Sequence, residues 1–167
     1  MAKKEFKFEE KFDVPREKLI EFILDTGNAE ARAVEFGKAL EAKATREDIG
    51  DGRARIVVRS KEYGRGMDGR KDMTKTQSST FIEEWDLERY EATWSYAMES
   101  TFADKIMVGG NKKLVATGDG SCTYKDDATI EVKIPVIGGM IAGKVVSSME
   151  RSTPRMMEWM KNKLNER

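Results

Sequence analysis

The sequence predicts an α+β fold: a curved antiparallel sheet of about seven strands wrapped around a long C-terminal helix, with two short helices after the first strand. Two observations predict it. Strand-like stretches follow one another from about residue 41 with only short turns between them, which makes an antiparallel sheet rather than a parallel one. The last thirty or so residues then switch to a helical period, and that helix is the only element large enough to cover the sheet.

The elements follow in order. Phe6, Phe8 and Phe12 alternate with Lys7, Glu9 and Lys11, the two-residue period of a half-buried strand. In "DVPREKLIEFIL" the period changes; Pro15 suits a first helical turn, and Leu19, Ile20, Phe22 and Ile23 form an apolar face. "DTGN" breaks that helix, and "AEARAVEFGKAL" reads as a second one, with Val34, Phe36 and Leu40 its larger apolar residues. The strands then run through "EAKATRED", "RARIVVRSKEY", "MTKTQSSTFIEEW", "EATWSYAME" and "KKLVATGDGSCTYKDDATIEVKI", rich in the β-branched and aromatic residues of pleated surfaces. "IGDG" and "GDGS" supply turns. In "STFADKIMVGGN", Phe102, Ile106, Met107 and Val108 before Gly109-Gly110 read as a strand with a bulge, in preference to a mobile apolar rim. Ile137, Ile141, Val145, Met149, Ser152, Met156, Trp159 and Met160 recur at helical steps; Pro154 predicts a kink or break, with Thr153 free to cap a second segment. No repeat or linker interrupts the chain, so residues 1–167 are expected to form a single domain.

Composition removes much chemistry. The 167 residues carry 30 Lys+Arg and 30 Asp+Glu, a balance that argues against a nucleic-acid partner. With no histidine, there can be no His-based triad, no His-ligated zinc and no histidine general base. The one cysteine, Cys122, cannot form an internal disulfide and has no basic cluster beside it, so it reads as structural in a reducing, cytoplasmic compartment. No apolar block resembles a signal peptide or a spanning helix.

Two glycine motifs fail on their mechanics. Gly138–Lys144, "GGMIAGK", has phosphate-loop spacing, but Val145 stands where a metal-binding hydroxyl is needed and only 22 residues follow it. Gly64–Gly69, "GRGMDG", has dinucleotide-loop spacing, but a strand-like stretch follows instead of a helix. Neither motif asks for a nucleotide, and no cofactor is expected.

The opening "FKFEEKFDVPREKLIEFILD" and the C-terminal "VKIPVIGGMIAGKVVSSM" together resemble the START-like helix-grip superfamily (SRPBCC), and the "VKIPVIGGMI" junction is similar to one of its uncharacterised branches. The resemblance implies a seven-stranded sheet gripping the C-terminal helix around a deep apolar cavity. Members bind lipids, sterols, polyketides or other apolar molecules, and a minority catalyse cyclisation or ring hydroxylation. The ring-hydroxylating relatives hold iron with histidines, so that activity is excluded here.

Within such a cavity, strand parity nominates Phe81 and Trp85; Trp94, Tyr96 and Met98; and Ile130, Val132 and Ile134 as walls. Ile141, Val145, Met149 and Met156 would close it from the helix, and Glu10, Gln77 and Glu83 are its polar candidates. Glu83 and Glu84 are adjacent on a strand and face opposite ways, so they form no catalytic dyad. Arg53, Arg55, Arg59 and Lys61, continued by Arg65, Arg70, Lys71 and Lys75, read as a solvated basic face. The leading expectation is a non-enzymatic carrier for an apolar or lipid-like small molecule, with at most transient membrane contact. A cyclase-type enzyme using Glu83 and Tyr96, and a protein-binding module, are the alternatives.

Overall fold

The phenylalanines of the first strand set the inner face of the sheet. In the computed structural model, which describes residues 2–65, 70–99 and 103–166, β1 (Ala2–Phe12) buries Phe6 and Phe12 and leaves its lysines outside. Pro15 precedes α1 (Arg16–Leu24), and its carbonyl accepts the Lys18 and Leu19 N–H groups. Asp25 ends that helix and starts the next, its carboxylate accepting the Asn28 N–H at 2.9 Å to cap α2 (Thr26–Ala31). The second helix therefore begins inside "DTGN", and it runs on into a π-helical turn over Arg32–Phe36. Of the larger apolar residues expected in it, Val34 is exposed, and Leu40 lies beyond its end and is exposed too.

Six more strands follow: β2 (Glu41–Gly50), β3 (Arg53–Arg65), β4 (Lys71–Asp86), β5 (Glu91–Met98), β6 (Ile106–Gly118) and β7 (Ser121–Val132). They pair antiparallel in the order β1-β7-β6-β5-β4-β3-β2, so α1 and α2 carry the chain from one edge of the sheet to the other. Register shifts at Asp48/Gly50, Tyr63/Gly64 and Ala116/Gly118 help such a sheet to bend. "IGDG" and "GDGS" are the expected hairpin turns, the first with Gly50, Asp51 and Gly52 all at positive φ. Gly109 and Gly110 lie in regular pairing, without the expected bulge. They serve close approach instead: a Cβ on Gly110 would stand 2.0 Å from the Asp127 carbonyl oxygen. Of the "GRGMDG" loop, residues 66–69 lie outside the described residues, as does Phe102.

α3 (Gly138–Asn165) lies chiefly against β1 and β7. It is one helix and runs through Pro154 without a break. Pro154 and Glu150 are exposed, so the carbonyl that loses its bond faces water rather than the core. Thr153 is accordingly not a cap but a buried residue in mid-helix. The deepest stripe is Ala142, Thr153, Met157, Met160 and Leu164, displaced from the expected one except at Met160. Gly138 lets the start of the helix press on the last strand, since a Cβ there would come 3.1 Å from the Val132 carbonyl oxygen. Lys144 is exposed, as a residue outside any phosphate cradle would be.

The apolar interior is divided. One cluster joins α1, Phe12, Ile56, Trp85, Leu114 and the C-terminal half of α3. The other joins Phe6, Ile130, Val132, Ile134 and Ala142 near the start of α3. Phe81 and Met156 pack on the first cluster, Trp94 and Met149 on the second, and a cavity opens between them.

Candidate functional site

Five neighbouring strands build the cavity's inner wall, β3 contributing Val58, Ser60 and Glu62. Pairing sets Phe81 opposite Tyr96, Glu83 opposite Trp94, and Lys112 opposite Asp126, all pointing to the concave side. From above, Met149, Thr153 and Met156 of α3 close the space, and Ala29, Arg32, Ala33 and Phe36 of α2 and its π-helical extension form the side. The resulting cavity holds about 280 Å³. That is near the small end of ligand pockets, which run from roughly 300 to 1,000 Å³.

Its walls are mostly apolar and its floor is charged. Lys112, 4% exposed at its side chain, gives a hydrogen bond and ion pair to Glu83, which is 1% exposed. The Trp85 indole donates to the other Glu83 oxygen at 3.1 Å, so this carboxylate is sealed by two donors. The Lys112 ammonium also lies 5.1 Å from the Phe81 ring centroid, 5.3 Å from that of Trp94 and 5.6 Å from that of Tyr124. Asp126 faces the same cavity, one oxygen accepting the Trp94 indole N–H at 2.9 Å. Arg32 stacks over Phe81 at 5.3 Å. At the far side, Tyr96 donates to Glu62 at 3.2 Å.

Burial and charge pull the titrations apart. Burial pushes the Glu83 carboxyl up, but the Lys112 and Arg32 cations and the two hydrogen bonds outweigh it and hold it below the ordinary range. For Lys112, burial disfavours the ammonium, yet Glu83, Tyr124 and Asp126 outweigh that loss and raise its pKa. Asp126 shifts opposite to Glu83: burial raises its pKa, and neither Lys112 nor the Trp94 hydrogen bond cancels the effect. Tyr96 is pushed up to about 12 by burial and by Glu62, and Tyr124 to about 12 by burial above all. The site thus offers a permanently protonated donor, Lys112, beside a carboxyl that holds its proton more tightly than usual, Asp126.

Among the residues nominated from sequence, Phe81, Trp94, Tyr96, Met149 and Met156 line this cavity. The others stand elsewhere. Trp85 is wholly buried in the first core cluster, because its indole turns to Glu83. Ile130 and Val132, with Ile141 and Val145 packed beside them, fill the second cluster, because Gly138 draws the start of α3 down onto β7 and leaves no space there. Met98 accepts the Gln77 side-chain N–H, and neither residue is part of the cavity lining. Glu10 pairs with Lys161 of α3 at 3.1 Å. Glu83 lies beneath the floor, in contact with Lys112 rather than with the open space. Glu84, as parity requires, is on the opposite face and pairs with Arg55. Cys122 is free and buried, its thiol pushed up by burial.

Lys112, Asp126 and Arg32 went unnoticed in the sequence. A signal was present for Asp126: Cys122, Tyr124, Asp126, Ala128, Ile130 and Val132 form one unbroken buried row along β7. Lys112 shares the parity of buried Leu114, one step along β6.

The chain matches over residues 7–162 a family described as "Protein of unknown function (DUF2505)". No curated protein matches it in sequence. In structure it is similar to the protein TTHA0849 from Thermus thermophilus, with a TM-score of 0.64, 15% identity and 98% of each chain covered. It is similar to the Zhui aromatase/cyclase from Streptomyces sp. R1128, with a TM-score of 0.58, 12% identity, and 98% of this chain and 92% of that one covered. Norcoclaurine synthase from Thalictrum flavum, in complex with dopamine and hydroxybenzaldehyde, gives a TM-score of 0.57 at 19% identity, covering 98% of this chain and 86% of that one. At these identities the likeness establishes the helix-grip fold.

Proposed function

The chain belongs to the DUF2505 family and has the helix-grip fold, and from that premise we propose that it binds a compact amphipathic small molecule in the cavity between its sheet and α3. One observation carries the reading: an apolar cavity whose floor holds a buried, ion-paired lysine and a separate carboxyl. Burying such charges is costly, and a solidly packed apolar core would avoid the cost. Here the charges are kept at a place where a bound molecule could use them. The ligand's apolar body lies against Phe81, Trp94, Met149 and Met156, and its polar end points inward to Lys112 and Asp126. Glu83 and Asp126 already offset the Lys112 charge, so the polar end is a hydroxyl, carbonyl or amide rather than a carboxylate. The volume suits a molecule of one or two rings better than a sterol or a two-chain lipid. The solved neighbour holding dopamine and hydroxybenzaldehyde supports small aromatic occupants in this fold.

Native mass spectrometry of gently purified protein tests this, paired with Met149→Trp, which fills the cavity from α3. A small molecule retained by the wild type and lost from a folded Met149→Trp variant is the expected result. Wild-type protein that carries nothing, and that no small aromatic alcohol or ketone perturbs in NMR spectra, would overturn the reading.

A second reading rests on Asp126. A cavity carboxyl with a raised pKa, one oxygen fixed by Trp94, is suited to general acid–base work on a bound substrate. Turnover of a bound molecule, abolished by Asp126→Asn with binding intact, would establish an enzyme.

A further inference from the structure

The joint between β7 and α3 has a feature that the cavity does not require. The Ile137 N–H donates to the Pro135 carbonyl at 2.8 Å, closing a three-residue turn on Val136, whose φ is +71°. This is the rare, strained hand of that turn, and a β-branched residue fits it poorly where glycine would fit freely. The strained residue gains no packing in return. Val136 is 102% exposed, and Ile137 and Met140, one helical turn apart, are 40% and 56% exposed. Three apolar side chains thus project together from one end of the molecule.

Lysines surround them. Lys133 precedes the turn, and its N–H donates to the Lys105 carbonyl at 2.7 Å, which brings Lys105 alongside. A Cβ on Gly138 would sit 3.6 Å from that of Ala2, so the start of β1, with Lys3 and Lys4, adjoins the start of α3. Lys144 stands exposed on the same stretch of helix. All five lysines are exposed, and none makes an ion pair among the described residues. Glu5, Asp104 and Glu131 are the acids nearby in the chain, leaving a basic excess.

We propose that this tip docks on an anionic membrane surface. Val136, Ile137 and Met140 enter the headgroup boundary, and the lysines meet lipid phosphates. An apolar point within a cationic surround is complementary to the interface of an anionic bilayer, apolar below and negative at its surface. Three apolar side chains and a few lysines make a peripheral, reversible contact. This inference does not depend on the cavity being occupied.

Co-sedimentation with phosphatidylserine/phosphatidylcholine vesicles at low salt tests it. Binding is expected to the mixed vesicles, to be absent with phosphatidylcholine alone, and to weaken as salt is added. Replacing Lys133 or Lys105 with Gln should lower the partition coefficient about fivefold each, equivalent to about 1 kcal/mol. Val136→Gly removes the side chain and the strain together, so it should weaken vesicle binding while the Tm does not fall. Wild-type protein that ignores the mixed vesicles would overturn the proposal, as would binding unchanged in Val136→Gly with Met140→Ser. A dimer seen by sedimentation velocity, lost in that double variant and unaccompanied by vesicle binding, would overturn it too by assigning the patch to a second copy.

Discussion

Replacing Lys112 with Met is the sharpest test of the charged floor. The substitution keeps the length and apolar stem of the side chain and removes only its charge and donors. It leaves the Glu83 carboxylate, 1% exposed, with the Trp85 N–H as its remaining hydrogen bond and the Arg32 charge still acting on it. Removing one partner of a buried pair costs about 3–5 kcal/mol, because the other charge stays desolvated. For a chain of this size each kcal/mol shifts Tm by roughly 2–4 °C, so a fall on the order of 10 °C is expected at neutral pH. The pH dependence gives the mechanism away. In the wild type Glu83 titrates below its ordinary value, so its stabilisation is full above the unfolded-state pKa and is lost as pH falls through the lower folded one. Without Lys112 burial dominates and raises the Glu83 pKa. The variant then gains stability as pH falls through that raised value toward the ordinary one, and the two proteins converge in acid. Urea unfolding from neutral pH to about pH 5, with midpoints and slopes compared, reads this directly. Adding Glu83→Gln should recover most of the loss. A Lys112→Met protein within about 1 kcal/mol of wild type at neutral pH, or a gap that does not narrow in acid, would refute the reasoning.

Further expectations concern the frame around the site. Gly110→Ala should destabilise by about 3 kcal/mol, the upper part of the overpacking range, because its Cβ meets the Asp127 backbone at 2.0 Å; thermal unfolding will show it. Pro154→Ala should stabilise the protein by up to about 3 kcal/mol and so raise the Tm, since it restores a helical hydrogen bond and replaces the poorest helix former with the best. Trp94→Phe removes the indole donor from Asp126 and should push that carboxyl's pKa higher still, as read by carbon NMR of the labelled side chain. Cys122 should react with a thiol reagent only on unfolding, at a rate set by opening of the core.

The order of elements was legible because it rests on period, and period survives in the sequence whatever the packing. β1 with its alternating phenylalanines and α3 with its helical apolar steps needed no tertiary information. The cavity walls were partly legible for the same reason, as parity selects a face. Parity cannot say where along that face the sheet and helix part. Ile130 and Val132 share a face with Asp126, yet the close approach at Gly138 fills their end of the fold and leaves the other end open. The floor was hidden by a different effect. Lys112 and Lys113 look alike in "GGNKKLV"; Lys112 shares the parity of Leu114 and turns inward, while the pairing of β6 with β5 sets Lys113 against Glu91. Asp126 and Asp127 pose the same problem, and the row from Cys122 to Val132 solves it once a charge is allowed to face inward. Pro154 predicts a break by local propensity alone, but exposure decides: on the solvent side a helix tolerates the lost bond.

Whether the site only binds or also reacts turns on Asp126, because Lys112 is committed. An ammonium stabilised by Glu83 is a donor, and attack on a carbonyl would need the neutral amine. Asp126, on the cavity floor beside Lys112, keeps lone pairs beyond its bond from Trp94, and burial already raises its pKa. A neutral ligand that displaces water from the cavity would desolvate it further and raise that pKa again. Linkage then fixes a sign: such a ligand binds the protonated site more tightly, so affinity rises as pH falls between the ligand-bound and ligand-free pKa values of Asp126. A ligand that instead gives Asp126 a proton to accept, the geometry a general base needs, stabilises the carboxylate and reverses the slope. Calorimetric titration of one small aromatic alcohol across the range from about pH 4 to 7, repeated with Asp126→Asn, separates these cases. Affinity that rises in acid for the wild type and is flat for the variant supports a binding site. A reversed slope favours the acid–base reading, and a flat wild-type profile would show that the ligand does not reach Asp126 at all.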